Sequence, residues 1–169
     1  MKGPVEKVMI SCSKGEGLQL AQTKPGRIIM VAGGTGLYPF SDFIDLLFKE
    51  QLMKDRPELA EEILTLSPVL KEKPFEKWTF EMLAAFGHVE DMHAATLEQL
   101  QYLAEKGRLK ITFKFKEDPH GLVEEGGNVT FTASGFQNLL EEKMGQGDVS
   151  RVWICGPPGM NQMVSKFMR

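Results

Sequence analysis

The sequence predicts an α/β fold in which a doubly wound, mostly parallel sheet carries helices on both faces. Three observations lead there. Short apolar runs of strand length alternate along the chain with stretches of helical periodicity. One such run, Ile28-Ile29-Met30-Val31-Ala32, ends in Gly33-Gly34 and is followed by an amphipathic stretch. A second turn, Cys155-Gly156-Pro157-Pro158-Gly159-Met160, again joins a strand to a helix.

The elements follow in order. Residues 1–26 are punctuated by glycine, lysine and serine and end in the turn-like Lys24-Pro25-Gly26, so they read as an approach segment to a domain over residues 27–169. Ile28 to Ala32 is apolar at every position, as a central strand buried on both faces requires. Pro39 suits a first helical turn, and Phe40, Phe43, Ile44, Leu47 and Phe48 form one apolar stripe on the helix that follows. From Asp55 to Lys77, three prolines and a short helical stretch, Glu58 to Leu66, read as an insertion. The apolar piece Thr79 to Phe86 is expected to be the second strand, although its periodicity also allows helix. Leu97, Leu100, Leu103 and Ala104 then mark the inner face of a helix stopped by Gly107.

Leu109 to Phe115 alternates apolar and polar residues with lysines on one face, the pattern of an edge strand. Asp118 to Asn128, with Pro119 and three glycines, reads as a loop. Phe136, Leu139, Leu140 and Met144 mark another helix before Gly145, and Arg151 to Ile154 is the fourth strand. Met160, Met163, Val164, Phe167 and Met168 stripe the last helix. With the lysine-bearing strand at the edge, the expected order is 3-2-1-4, with room for a further edge strand. Strands one and four are then neighbours where the order reverses, and the two glycine turns face each other across one crevice.

Composition narrows the function. A chain of 169 residues holds one ordinary domain, and 42% hydrophobic with 25% charged residues excludes a disordered or collagen-like chain. Twenty basic residues against 23 acidic ones give a net charge of -3, which argues against a nucleic-acid partner. Two cysteines, Cys12 and Cys155, make neither a disulfide framework nor a metal site, and a reducing, cytoplasmic location is expected. No apolar run approaches the roughly 20 residues of a membrane span, and the start does not read as a signal peptide, so no membrane contact is expected of this segment.

The turn Gly33-Gly34-Thr35-Gly36-Leu37-Tyr38-Pro39 stands where a nucleotide site is credible, between a buried strand and a helix. It differs from the dinucleotide fingerprint in having Pro39 where a third glycine falls. Gly34 and Gly36 can admit a ligand close to the backbone, and amides at the helix start favour an anion. The bland alternative is a tight turn that merely needs positive φ. In Cys155 to Met160, two prolines stiffen the chain and Gly156 leaves room for a flat ring, or else the segment is a rigid helix start beside an inert cysteine.

In this order and context, GGTGLYP (Gly33 to Pro39) and CGPPGM (Cys155 to Met160) resemble the paired motifs of the NAD(P)-binding domain of the ferredoxin-NADP reductase family, closest to its cytochrome-b reductase and nitrate reductase branch. The fold so implied is Rossmann-like. Members pass hydride from NADH or NADPH to a flavin, FAD or FMN, held by a preceding β-barrel domain. The resemblance covers roughly residues 27 to 169 apart from the insertion, and residues 1–26 resemble the closing segment of such a barrel. It implies that Gly33, Gly34, Thr35, Gly36 and Pro39 line the pyrophosphate and nicotinamide side of a cleft, with Thr35 near the flavin edge. It places Cys155 beside the reacting nicotinamide carbon, which makes Cys155 and Thr35 the candidate catalytic residues, with Gly156, Pro157, Pro158 and Met160 shaping the pocket. The family often has a small hydroxyl residue where this chain has Tyr38 and a third proline where it has Gly159.

The end of the second strand, Phe86-Gly87-His88-Val89-Glu90-Asp91, falls where the family binds the adenosine ribose. Asp91 resembles the acidic position associated with NADH, since a carboxylate accepts from ribose hydroxyls and repels a 2'-phosphate, so NAD(H) is expected over NADP(H). Glu90 and Asp91 also fit a solvated helix start. His88 reads as a loop residue.

The expected function is therefore to position NADH for hydride transfer to a flavin domain of the same parent chain, the isolated piece being inactive and the parent free to be membrane-associated. The alternatives are a non-catalytic nucleotide-binding or docking module and a self-contained dehydrogenase. Tyr102 and Lys106 have the spacing of a short-chain dehydrogenase pair but fall too early in the chain, and read as packing and a helix C-terminal cation. No Walker sequence occurs, and His93 and His120 have no ligand cluster around them.

Overall fold

The computed structural model describes residues 24–72, 75–86, 93–115 and 133–167. The approach segment up to residue 23, Met168 and the loop expected at Asp118 to Asn128 lie outside them. Four strands, β1 (Gly26–Gly33), β2 (Trp78–Phe86), β3 (Leu109–Phe115) and β4 (Val149–Cys155), form one sheet in the order β3-β2-β1-β4. Every pairing is parallel. This is the order expected, with β3 at an edge and Thr79 to Phe86 in a strand.

The helices are α1 (Tyr38–Asp55), α2 (Ala60–Leu66), α3 (Ala94–Glu105), α4 (Ala133–Gly145) and α5 (Pro158–Phe167). The chain moves one way across the sheet from β1 to β3, then jumps back past β1 to β4. Because parallel crossovers are right-handed, reversing the direction puts the later helices on the opposite face. The core divides accordingly. Ile28, Met30 and Ala32 of β1 pack with α1 and α3 through Phe40, Phe43, Ile44, Leu47, Leu100 and Leu103. Ile29 and Val31 point the other way, toward Leu140 of α4 and Val164 of α5. All five residues from Ile28 to Ala32 are fully buried, which explains why the strand has no polar alternation.

Three details go beyond the sequence reading or change it. The segment 55–77, read as an insertion, packs into the domain core: Ile63, Leu70 and Phe75 belong to the same core cluster as α1 and β2. Phe43 sits edge-on to Phe75, Phe80 and Trp153, with ring centroids 5.2, 5.0 and 5.4 Å away. Arg108 then ties the end of this segment down, donating to the carbonyls of Phe75 (2.7 Å) and Trp78 (3.0 Å) and to Glu50 of α1 (3.0 Å).

The second is Ala104, expected on the inner face of α3. It is exposed, in the last turn, where the chain is already bending toward Gly107 at φ 66. The third is in β2. The run read as apolar contains a buried carboxylate, Glu81, 2% exposed, held by Arg27 of β1 at 3.2 Å and Lys143 of α4 at 3.1 Å. Arg27 also donates to the Lys143 carbonyl. This network fastens α4 to the sheet; a lone buried charge would be strongly unfavourable without it.

Candidate functional site

Parallel register brings three strand ends to one edge of the sheet. Ala32 lies opposite Cys155, Gly33 opposite Ala85, and Phe86 opposite Phe115. Ligands of open α/β sheets bind beyond this carboxyl edge where the strand order reverses, here between β1 and β4.

The turn after β1 is a single 3-10 turn, Gly34–Leu37, that runs directly into α1, with the Tyr38 amide donating to the Thr35 carbonyl. Pro39 stands in the first turn of α1, where its missing N–H removes no helix bond. Ser41 Oγ donates to the Tyr38 carbonyl at 2.6 Å. Neither the 3-10 turn nor the first turn of α1 carries an acidic residue, so the positive end of the helix dipole is not neutralised locally. Gly34 has φ +53, and a Cβ built on it meets nothing within 4 Å. It therefore serves both the conformation of the turn and the open space beside it. Thr35 and Tyr38 are exposed.

Gly33, Gly36 and Gly156 have a different use. A Cβ on Gly36 would lie 2.0 Å from the Cys155 carbonyl oxygen and 2.7 Å from the Gly156 nitrogen. One on Gly33 would lie 2.8 Å from Met160 Sδ and 3.0 Å from Pro157 Cδ, and one on Gly156 2.1 Å from Met160 Cε. These glycines let the two turns interlock, main chain against main chain, with the Met160 thioether between Gly33 and Gly156. The crevice expected between the turns is filled at this depth by their own backbone and Met160, and the accessible groups lie above it: Thr35, Tyr38, Pro157 and Pro158, all exposed.

Cys155 is a half-buried free thiol at the end of β4. Phe86 is buried in the core at the end of β2. Gly87, His88 and Asp91, with Glu90, lie outside the described residues, as does His120. The structure thus joins Gly33 and Gly36 to Cys155, Gly156, Pro157 and Met160, and Gly34, Thr35, Pro39 and Pro158 lie on the same two turns. Sequence reasoning missed Asn161, whose Nδ2 donates to the Gly156 carbonyl at 2.9 Å. One signal was present, a polar residue in the first turn of an apolar-striped helix preceded by two prolines.

Two other groups are structural. Tyr102 and Lys106 both bind Asp55 Oδ2, at 2.5 and 2.9 Å, and Tyr102 also packs edge-on against Phe48. The Tyr102 hydroxyl and Lys106 hold the Asp55 carboxyl below its ordinary range, and Asp55 in turn raises both partners. A phenol whose pKa is raised is not poised to give up a proton, which agrees with packing rather than a dehydrogenase acid. Among the described residues no cluster of three or more His, Cys, Asp or Glu side chains could hold a metal ion, and no helix is long and apolar enough to cross a membrane.

The donor set fits a dinucleotide. Helix-start amides without a nearby acid suit a pyrophosphate, the open side of Gly34 gives it room, and the rigid apolar pair Pro157-Pro158 beside Cys155 suits a flat ring. Comparison with solved structures finds the same fold at low identity. The chain is similar to the CS-b5R domains of human Ncb5or in the NAD+ form, at 16% identity and a TM-score of 0.54, over 92% of this chain and 36% of that one. It is also similar to ferredoxin-NADP+ reductase from Plasmodium falciparum with 2'P-AMP, at 13% identity and a TM-score of 0.53, over 89% and 50%. The chain therefore spans from about a third to half the length of these proteins. No curated protein sequence matches it. The family model described as the oxidoreductase NAD-binding domain matches residues 30–166, a stretch that contains both interlocked turns, and the chain belongs to that family.

Proposed function

We propose that this chain is the nicotinamide-dinucleotide half of a flavin-dependent reductase. When both cofactors are bound, the nicotinamide supplies a hydride from its C4 to N5 of a flavin, FAD or FMN, carried by a preceding domain of the parent chain, of which residues 1–26 are the tail. The contribution of this chain is placement, since the redox chemistry belongs to the cofactors. Amides of the turn from Gly33 to Pro39 hold the pyrophosphate, Thr35 orients the ring from the flavin side, and Cys155 with Pro157 and Pro158 backs it from the other. Phe86, Gly87, His88 and Asp91 take the adenosine end, and the Asp91 carboxylate favours NADH over NADPH by accepting from the ribose hydroxyls.

The observation that carries this reading is the interlock of Gly36 with Cys155 at the point where the strand order reverses. Calorimetric titration of the chain with NADH and NADPH tests the binding half, with tighter binding of NADH expected. Joining the chain to an upstream flavin-binding barrel and measuring NADH-dependent dye reduction tests the other half. Binding without turnover in the joined protein would favour a docking module, and no binding of either nucleotide would end the proposal.

A further inference from the structure

The turn after β4 is short of donors. Pro157 and Pro158 have no N–H. The hydrogen-bond ladder of α5 opens with the Asn161 amide donating to the Pro157 carbonyl at 3.1 Å, which leaves the Gly156 carbonyl one residue outside it. The Asn161 side chain supplies what the backbone does not, through Nδ2 at 2.9 Å. A residue in the first turn of a helix thus reaches back over its own start, the arrangement of a capping box but directed at a carbonyl.

The rest of that carboxamide is unpartnered. Asn161 Oδ1 is buried and accepts no hydrogen bond among the described residues. A buried acceptor left unpaired is destabilising; an apolar residue of the same size would remove that penalty but would leave the Gly156 carbonyl without its donor, so the two effects on stability oppose each other. What the asparagine adds is a fixed direction for that carbonyl. The Gly156 carbonyl it holds belongs to the interlock, where a Cβ on Gly156 would lie 3.2 Å from the Gly33 nitrogen and closer still to Met160.

We infer that Asn161 is a positioning residue: by fixing the Gly156-Pro157 peptide plane it sets how Cys155 and Pro157 face the nicotinamide ring. The inference rests on the proposed function of the site. It acts on pose rather than on grip, because the Asn161 side-chain amide is engaged with the Gly156 carbonyl, so its loss is felt in the transfer step more than in affinity.

The test uses Asn161→Leu, with Asn161→Ala as a second variant, in the full chain and in the chain joined to its flavin domain. NADH affinity is read by calorimetry, hydride transfer at saturating NADH by stopped-flow flavin reduction, and folding by urea titration. The expected result is a transfer rate lower by about tenfold or more, with NADH affinity within about threefold and an unfolding midpoint close to that of the parent protein. An unchanged rate in both variants overturns the inference while leaving the proposed function intact, as does a loss that appears equally in affinity and rate. If the unsubstituted protein neither binds NADH nor reduces its flavin, the functional reading falls and takes this inference with it.

Discussion

Gly36 stands directly against the main chain of Cys155, so close that a Cβ added to it would fall 2.0 Å from the carbonyl oxygen and 2.4 Å from the carbonyl carbon. The atoms it would meet are main chain at the end of β4, paired to β1, which cannot yield as a flexible side chain can. Two segments separated by most of the chain are thereby locked at the edge where the proposed site lies. The glycines of the first turn divide their tasks: Gly36 and Gly33 serve the lock, and Gly34 the positive φ and the open side.

Substitution separates those tasks. Gly36→Ala is expected to destabilise the fold by about 3 kcal/mol, at the upper end of overpacking effects. Gly34→Ala meets no neighbour and pays only for a left-handed backbone, about 1 kcal/mol. Urea unfolding of the two variants checks the ranking, and a larger loss for Gly34→Ala would contradict the interlock.

The buried carboxylate of β2 gives a second expectation. Glu81→Gln keeps the shape but leaves Arg27 and Lys143, both largely buried, without their counter-charge. A loss of about 3 kcal/mol is expected. Hydrogen exchange should show protection falling first in α4, the helix that Lys143 ties to the sheet.

Arg108 fans out to three acceptors, Glu50 and the carbonyls of Phe75 and Trp78, and its guanidinium lies over the Phe80 ring at 5.3 Å. A lysine cannot reproduce that fork. Arg108→Lys is expected to lose about 2 kcal/mol, and limited proteolysis should then cut within residues 56–77 at protease levels that spare the parent protein.

The cluster at Asp55 predicts a pH response at both ends. Its carboxyl is held below the ordinary 3.8 by the Tyr102 hydroxyl first and Lys106 second. A depressed folded value means that the stabilisation is present above the unfolded value and is lost as pH falls through the folded one. Tyr102 and Lys106 are raised above 10.0 and 10.5, chiefly by their hydrogen bonds to Asp55, so their share is present below those values and lost as pH rises through the folded ones. Thermal melts of Asp55→Asn should therefore be flatter with pH than those of the parent protein at both extremes. The difference is small, because the group faces solvent. Equal pH profiles would show that the cluster contributes nothing.

Cys155→Ala removes the thiol at the end of β4 but leaves the main-chain lock with Gly36 in place. On the proposed reading, NADH affinity should hold within about threefold while flavin reduction slows by about tenfold or more. Stopped-flow measurement on the chain joined to its flavin domain decides it.

The sheet was legible in the residues because periodicity is a local property. Ile28 to Ala32 could only be a strand buried on both faces, and the lysines of Leu109 to Phe115 could only sit at an edge, so the order β3-β2-β1-β4 followed from handedness and winding. The glycine turns were legible for the same reason, as breaks between a strand and a helix. What a glycine touches is not local. The partition of Gly33, Gly34 and Gly36 between lock and open space, the burial of Glu81 beside Arg27 and Lys143, the packing of Phe75 against Phe43 and the reach of Asn161 to Gly156 each depend on register and helix placement across the sheet. The sequence by itself determined which faces of each element had to be covered, because burial of apolar surface dominates and leaves its period in the chain. Only the tertiary structure decided which polar groups and which glycines meet, because the longest of those contacts join residues more than 100 positions apart, such as Gly36 and Cys155 or Gly33 and Met160, and exist only once the strands have chosen their neighbours.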